Sequence, residues 1–175
     1  PLAVAWGYEH PKNPYYHRAD VLDAIVRGGD ALIADQDTNG QWVFRKKDGS
    51  TWGKIYMPWT YSRWIRAYQI VRSKLSAEVR ERWDRAMQLG FTGIAKQLVE
   101  TKTLANIPTH HAMGLFFASQ VFQRADWAKV ARDFMQRVVQ EQHLDGYWSE
   151  HSGPVIAYGS VYLEALGIYA AAAHD

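Results

Sequence analysis

The chain has 175 residues, which is enough to bury a substantial core, and its 47% hydrophobic and 22% charged residues are typical of a folded globular protein. Its 20 basic residues are scattered among 18 acidic ones, so the formal net charge is only +2 and no nucleic-acid-binding surface is expected. The absence of cysteine excludes disulfides and thiol chemistry, and no apolar run reaches the ~20 residues that cross a membrane, so no membrane span is expected.

Apolar residues recur at helical spacing in six segments, which predicts six helices. In chain order the segments are 20–34, 58–72, 76–99, 108–123, 125–142 and 154–173. The first, third and fifth are amphipathic, whereas the second, fourth and sixth are more apolar, and the sixth is apolar on nearly all sides. An all-round apolar helix is typically buried on all sides. Each of these three starts with a proline that suits the first helical turn: Pro58, Pro108 and Pro154.

An internal repeat fixes the expected architecture. Residues 18–42 and 124–148 are the same segment written twice, at an offset of 106 residues without a gap. The matched residues are Arg18-Ala19-Asp20 with Arg124-Ala125-Asp126, Gln36 with Gln142, Gly40 with Gly146, and Trp42 with Trp148. Repeated helix-and-turn units of this size stack into one continuous core. The Gln-x-x-x-Gly-x-Trp element in both copies is expected to tie a helix end to the turn after it.

The alternation of half-exposed and buried helices predicts an all-α fold, an α/α toroid in which an outer ring of helices surrounds an inner ring. The offset of 106 residues would span two helical hairpins of about 53 residues each. Closed toroids usually have about six hairpins, so three form an incomplete ring. We therefore expect residues 1–175 to be a single domain or half-toroid and to be part of a larger chain.

Candidate functional residues collect where the outer-to-inner loops meet the N-termini of the inner helices. These loops are 35–57, 100–107 and 143–153. The second loop leads into Asn106, His110 and His111, and the third is followed by Tyr158 and Tyr162, one turn apart. Helix N-termini favour anionic groups, so this end of the ring is the expected binding site.

Two stretches resemble the toroid domains of polysaccharide lyases, such as the heparinase II/III-like and alginate lyase families. They are Asn106-Ile107-Pro108-Thr109-His110-His111 and Asp145-Gly146-Tyr147-Trp148-Ser149-Glu150-His151 with the later Tyr158. Those families have an Asn and a His at the start of one inner helix and an Asp-Gly…Glu…Ser…Tyr stretch leading into a later one. The resemblance covers mainly 100–123 and 143–166. It implies β-elimination on a uronate-containing polysaccharide.

In that reaction the resemblance gives each residue an expected role. Asn106 with His110 or His111 would neutralise the uronate carboxylate, and Tyr158 would act as base or acid with a histidine as its complement. Substrate binding would involve Arg63, Trp52, Trp59, Trp64, Tyr147, Glu150 and His151. Arg63 could hold a carboxylate bidentately, and the three tryptophans lack a repeat partner and so could stack on sugars.

Each of these residues also has a structural interpretation. Asn106 could be a helix N-cap, Tyr158 and Tyr162 could pack in the core, and Arg63 could pair with a neighbouring acid. His110 and His111 could be one core and one surface histidine. We expect no metal, because adjacent residues on a helix do not face one ligand position, and no cofactor.

Other functions remain open on the same scaffold. A glycoside hydrolase would use two carboxylates, Glu150 with Asp48, Asp37 or Asp145. A terpenoid cyclase would use aromatic residues to stabilise carbocations, although Asp35-Gln36-Asp37-Thr38 has one carboxylate fewer than its acid motif. The third alternative is a noncatalytic sugar-binding toroid. The expected partners are an acidic polysaccharide and further hairpins or a β-sandwich domain of the parent chain, and the expected location is periplasmic or secreted.

Overall fold

The computed structural model describes residues 1–150 and 153–173, and 67% of these residues are helical. The helices are α1 (Leu2–Gly7), α2 (Ala19–Asp35), α3 (Pro58–Val71), α4 (Ala77–Glu100), α5 (Asn106–Phe122), α6 (Ala125–Gln140) and α7 (Ile156–Ala173). The strands are β1 (Trp42–Arg45), β2 (Thr51–Ile55), β3 (Ser149–Glu150) and β4 (Gly153–Pro154). The six predicted helices are confirmed as α2 to α7, with ends shifted by two residues or fewer. The mostly helical class is therefore confirmed.

Two antiparallel strand pairs and the short α1 were not predicted. Strand β1 pairs with β2, with Trp42 opposite Ile55, and β3 pairs with β4. The first pair closes through Asp48 and Gly49, and Gly49 has φ 84°, a left-handed conformation that glycine adopts without strain. An Asp-Gly step between alternating apolar residues is a hairpin signal that sequence reasoning could have used.

The proline prediction is correct for one helix. Pro58 is the first residue of α3, where its missing N–H costs nothing. Pro108 is the third residue of α5, because that helix already begins at Asn106. Pro154 is wrong as a helix start, because it ends β4 and α7 begins two residues later.

The chain divides into two compact units. The first comprises residues 1–57 and 63–90, and the second comprises 58–62 and the described residues from 91 onwards. The prediction of a single domain is not tested by this division.

The core of the first unit forms around Trp83 on α4, which is 1% exposed. Its ring packs directly on the backbone of α2 at Gly29, where a Cβ would lie 1.9 Å from the indole. The indole also contacts Trp64 edge to face at 5.7 Å between centroids and Tyr68 at 5.8 Å, both on α3. Helix α4 therefore fills the space between α2 and α3, and only glycine at position 29 permits this approach.

In the second unit α5 is the central helix. It contacts both α6 and α7, and most of its residues are buried, including Met113 at 2% and Leu115 at 0% exposure. Its sequence is apolar on nearly every face, as a helix enclosed by neighbours requires. Helix α6 is amphipathic as predicted, with Trp127 and Phe134 buried and charged residues outside.

The prediction that α7 is buried on all sides is wrong. Tyr162, Ala165 and Tyr169 are buried, but Ile156 is 95% and Leu163 is 62% exposed. The apolar sequence of α7 is therefore covered on one side only. By length and composition α7 could also cross a membrane, with a mean hydropathy of 1.3 over 18 residues, a test that core helices of soluble proteins also pass. The absence of a membrane span stays a prediction.

The sequence repeat is also a structural repeat. The Trp42 Nε1–H donates to Leu32 O at 3.0 Å, and the Trp148 Nε1–H donates to Val138 O at 2.6 Å. Donor and acceptor are ten residues apart in both copies. The glycine two residues before each tryptophan has φ 84° in both. The repeated element thus ties the end of a helix, α2 or α6, to the turn that follows it, and each tryptophan is a structural residue, as expected.

Candidate functional site

The start of α5 is tied to the third loop by a carboxylate. Ala105 precedes the helix and offers no side-chain cap, so the first N–H groups need an acceptor from elsewhere. Glu150 on β3 supplies it: its Oε1 accepts the backbone N–H of Asn106 at 2.5 Å and the Asn106 Nδ2–H at 3.2 Å. Both residues are buried, at 4% and 8% exposure. An anion at a helix N-terminus is also favoured by the helix dipole.

The two histidines lie within the next turn of α5 and are buried. His110 is 1% and His111 is 3% exposed. The His110 Nε2 is 3.2 Å from Val161 O, so this ring connects α5 with α7. Trp59 packs against the His110 ring with 5.6 Å between centroids. The expectation of one core and one surface histidine is wrong, because both belong to the core.

The two tyrosines of α7 differ in exposure. Tyr158 is half-buried, in the first turn of the helix, one turn before the contact between His110 and Val161. Tyr162 is fully buried and stacks on Trp148 with 5.0 Å between centroids. Burial, and after it the neighbouring carboxylate of Glu150, raises the pKa of the Tyr162 phenol above its usual value. The neutral hydroxyl is therefore its stable form at ordinary pH.

The expected substrate-binding residues are distributed over both units. In the second unit, Tyr147 is half-buried and stacks on His143 at 4.4 Å, and Glu150 is the helix cap described above. His151 lies outside the described residues.

Three further expected binding residues belong to the first unit. Trp52 on β2 is 58% exposed, stacks on Phe44 at 4.6 Å between centroids and has the Lys46 Nζ 5.9 Å from its ring centroid. Arg63 is exposed and lines a groove of about 610 Å³ together with Arg66. Trp64 is 4% exposed within the packing around Trp83, which leaves no ring face for a sugar.

The carboxylates suggested for a hydrolase hold turns together. Asp37 accepts the backbone N–H of Gln41 and pairs with Lys54, and these contacts lower its pKa. Hydrogen bonds from Ser50 lower the pKa of Asp48. A glycosidase general acid needs a raised pKa, which is the opposite shift.

Asp145 lies 3.3 Å from His143 in the turn after α6. Among residues 1–150 and 153–173, no group of three or more His, Asp or Glu residues is arranged to hold a metal ion.

Two features of the site were missed from sequence. The capping role of Glu150 joins residues 44 positions apart, and no local pattern links them. The tie from His110 to α7 is equally long-range. No protein-family model, curated protein or solved structure matches this chain.

Proposed function

We propose that the chain is an arc of an α/α toroid that acts on carbohydrate, with α2, α4 and α6 as outer helices and α3, α5 and α7 as inner helices. One support is the structural repeat, in which α6 and the turn after it repeat α2 and the turn after it. The other is the contrast between α5, which is enclosed, and α6, which is amphipathic. An experimental structure that shows the helices in a different arrangement would contradict the arc.

We further propose that the chemistry is β-elimination on a uronate-containing polysaccharide. One observation carries this proposal: Asn106, His110 and His111 lie in the first two turns of α5, Tyr158 lies in the first turn of α7, and these helices contact each other in one unit. An amide, imidazoles and a phenol are the groups that such a lyase requires.

In the proposed reaction a base removes the proton at C5 of the uronate, the electron pair forms the C4–C5 double bond, and the C4–O bond breaks. The departing oxygen takes a proton from an acid. Tyr158 is the group with surface open to solvent, so it takes the role of base or acid. Asn106 and a histidine would stabilise the charge on the carboxylate, once substrate displaces the loop that carries Glu150.

The test is a screen of acidic polysaccharides followed by ultraviolet absorbance, since the new double bond absorbs and a hydrolysis product does not. Tyr158→Phe should lower turnover by ~10²–10⁴-fold without changing the circular dichroism spectrum. The matched control is Tyr15→Phe, because Tyr15 is 46% exposed and belongs to the first unit. Full turnover by Tyr158→Phe would refute the assignment. New reducing ends without absorbance would identify a hydrolase.

Noncatalytic sugar binding is the second candidate. It is favoured by the burial of Asn106 and both histidines and by the exposed indole of Trp52. This function predicts retention of glycan affinity in Tyr158→Phe and at least a tenfold loss in Trp52→Ala or Trp59→Ala. Titration calorimetry with the same polysaccharides distinguishes the two candidates, because a lyase would also consume its ligand.

An acidic polysaccharide substrate favours a periplasmic or secreted location, and further hairpins or a β-sandwich domain remain proposed partners. Fractionation of the source cells, with detection of the chain by antibody, tests the location. Recovery in the cytoplasm would contradict it.

A further inference from the structure

An open groove runs between α6 and α7 in the second unit. It has a volume of about 610 Å³ and is lined chiefly by Arg132, Met135, Gln136, Val139, Leu166 and Tyr169. Val139 is 59% exposed, although an aliphatic side chain of this size is usually covered.

The repeat identifies what fills the equivalent groove in the first unit. Positions 135 and 136 on α6 correspond to Gly29 and Asp30 on α2. There α4 lies across the helix: Trp83 packs on Gly29, its Nε1–H donates to Asp30 Oδ1 at 2.9 Å, and Arg82 pairs with Asp30 at 2.6 Å. A helix therefore occupies the groove between α2 and α3, whereas no described element occupies the groove between α6 and α7.

A repeated glutamine shows the same difference. The Gln36 side-chain amide donates to Ala86 O on α4 at 3.1 Å. Gln142, at the same position of the second copy, is exposed and donates to Gly146 O in its own turn at 3.1 Å. The glutamine that bonds to α4 in the first copy is thus present in the second copy as Gln142, where its described bond is to its own turn.

The exposed face of α7 extends the groove. At 100° per residue, Ile156, Leu163 and Ala170 fall on one stripe that adjoins Leu166 on the groove side. Ile156 and Leu163 are 95% and 62% exposed. A helix lying in the groove would cover this stripe as well.

Charge indicates which helix fits. In the first copy the outer helix carries the acid, Asp30, and the bound helix carries the base, Arg82. In the second copy the groove carries a base, the exposed Arg132, and position 136 is a neutral glutamine. None of the residues that line this groove is acidic. The complementary helix therefore carries an acidic residue beside its apolar ridge.

We propose that the α6–α7 groove binds an amphipathic helix of a partner polypeptide in the manner in which the α2–α3 groove binds α4. Met135 stands where Gly29 stands in the first copy and is 2% exposed, so the bound helix packs its apolar ridge on Val139 and Leu166 instead of placing an aromatic ring against the helix backbone. It places an acidic residue beside Gln136, one helical turn from Arg132, and a main-chain carbonyl within reach of the Gln142 amide.

The probe is a fluorescent peptide of residues 76–100 that carries Arg82→Glu, added to the full 175-residue chain. Fluorescence anisotropy should show saturable binding. Val139→Asp on the chain should weaken it at least tenfold, and Trp83→Ala on the peptide should weaken it similarly. The matched control is Val99→Asp, since Val99 is 71% exposed on α4 and should leave affinity unchanged.

Four outcomes would overturn the proposal. The first is that the peptide shows no saturable binding. The second is that Val99→Asp and Val139→Asp lower the affinity for the peptide equally. The third is a dimer of the parent chain in sedimentation that Val139→Asp dissociates, which would assign the groove to a second copy. The fourth is flotation with phosphatidylcholine vesicles that Leu163→Asp abolishes, which would assign the face to a lipid surface.

Discussion

Replacement of Glu150 tests whether the third loop and the start of α5 form one structural unit. Glu150→Ala removes the acceptor of the Asn106 backbone N–H and of its side-chain amide. The N–H is then buried without a partner, which costs about 1–3 kcal/mol. Loss of the anion at the helix N-terminus adds up to ~2 kcal/mol in a buried position. We therefore expect a loss of about 3 kcal/mol in the free energy of unfolding.

For a chain of this length each kcal/mol lowers Tm by about 2–4 °C, so Glu150→Ala should lower Tm by about 6–12 °C. Glu150→Gln keeps an acceptor oxygen but loses the charge, and should cost about 1 kcal/mol. The assay is urea and thermal unfolding followed by circular dichroism. The control is Glu141→Ala, because Glu141 is exposed at the end of α6. The reasoning is refuted if Glu150→Ala and Glu141→Ala lower stability by the same small amount.

Three further predictions follow from the described packing. Gly29→Ala should destabilise the protein by several kcal/mol, because the added Cβ would lie 1.9 Å from the Trp83 ring. Gly28→Ala should stabilise it by up to ~1 kcal/mol, because no atom lies within 4 Å of the added Cβ. Urea unfolding of both variants tests the contrast. Trp148→Phe should lower the free energy of unfolding by about 1–3 kcal/mol, because the buried Val138 carbonyl of α6 would lose its donor. Chemical denaturation measures this loss, and an effect below about 0.5 kcal/mol would contradict the prediction. Burial, and after it the hydrogen bond to the Asp84 carboxylate, raises the pKa of Tyr68 to about 12. The unfolded value is ~10, so the free energy of unfolding should fall as pH rises from about 10 through 12. Tyr68→Phe should make this fall smaller, as urea unfolding at each pH would measure.

The helices and their order were predictable because hydrophobic spacing is a local signal. The repeat was equally visible, since Trp42 and Trp148 occupy the same position in both copies and make the same bond. The hairpin of β1 and β2 was missed although Asp48-Gly49 marks its turn. The Asp48-Gly49 turn lies between α2 and α3, and the expected all-α fold gave no reason to look for strands between them.

The site was less predictable, because its contacts join distant segments. Sequence placed Asn106, His110 and Tyr158 on the correct helices. It did not indicate that Glu150 caps α5 or that the His110 ring contacts α7. Burial of a polar residue depends on what packs over it, and that depends on tertiary structure rather than on local pattern.

The exposure of α7 shows what an apolar sequence can and cannot establish. An all-round apolar helix requires cover, but the sequence does not say which molecule provides it. Covering a side chain such as Ile156 or Leu163 stabilises by about 1.5–3 kcal/mol, so a helix that lies against this stripe gains substantial binding energy. A membrane would cover the stripe as well, but α7 carries Glu164 among its apolar residues, and a charged side chain is costly to place in a membrane. The precedent of α4 in the first copy therefore favours a helix as the molecule that covers α7.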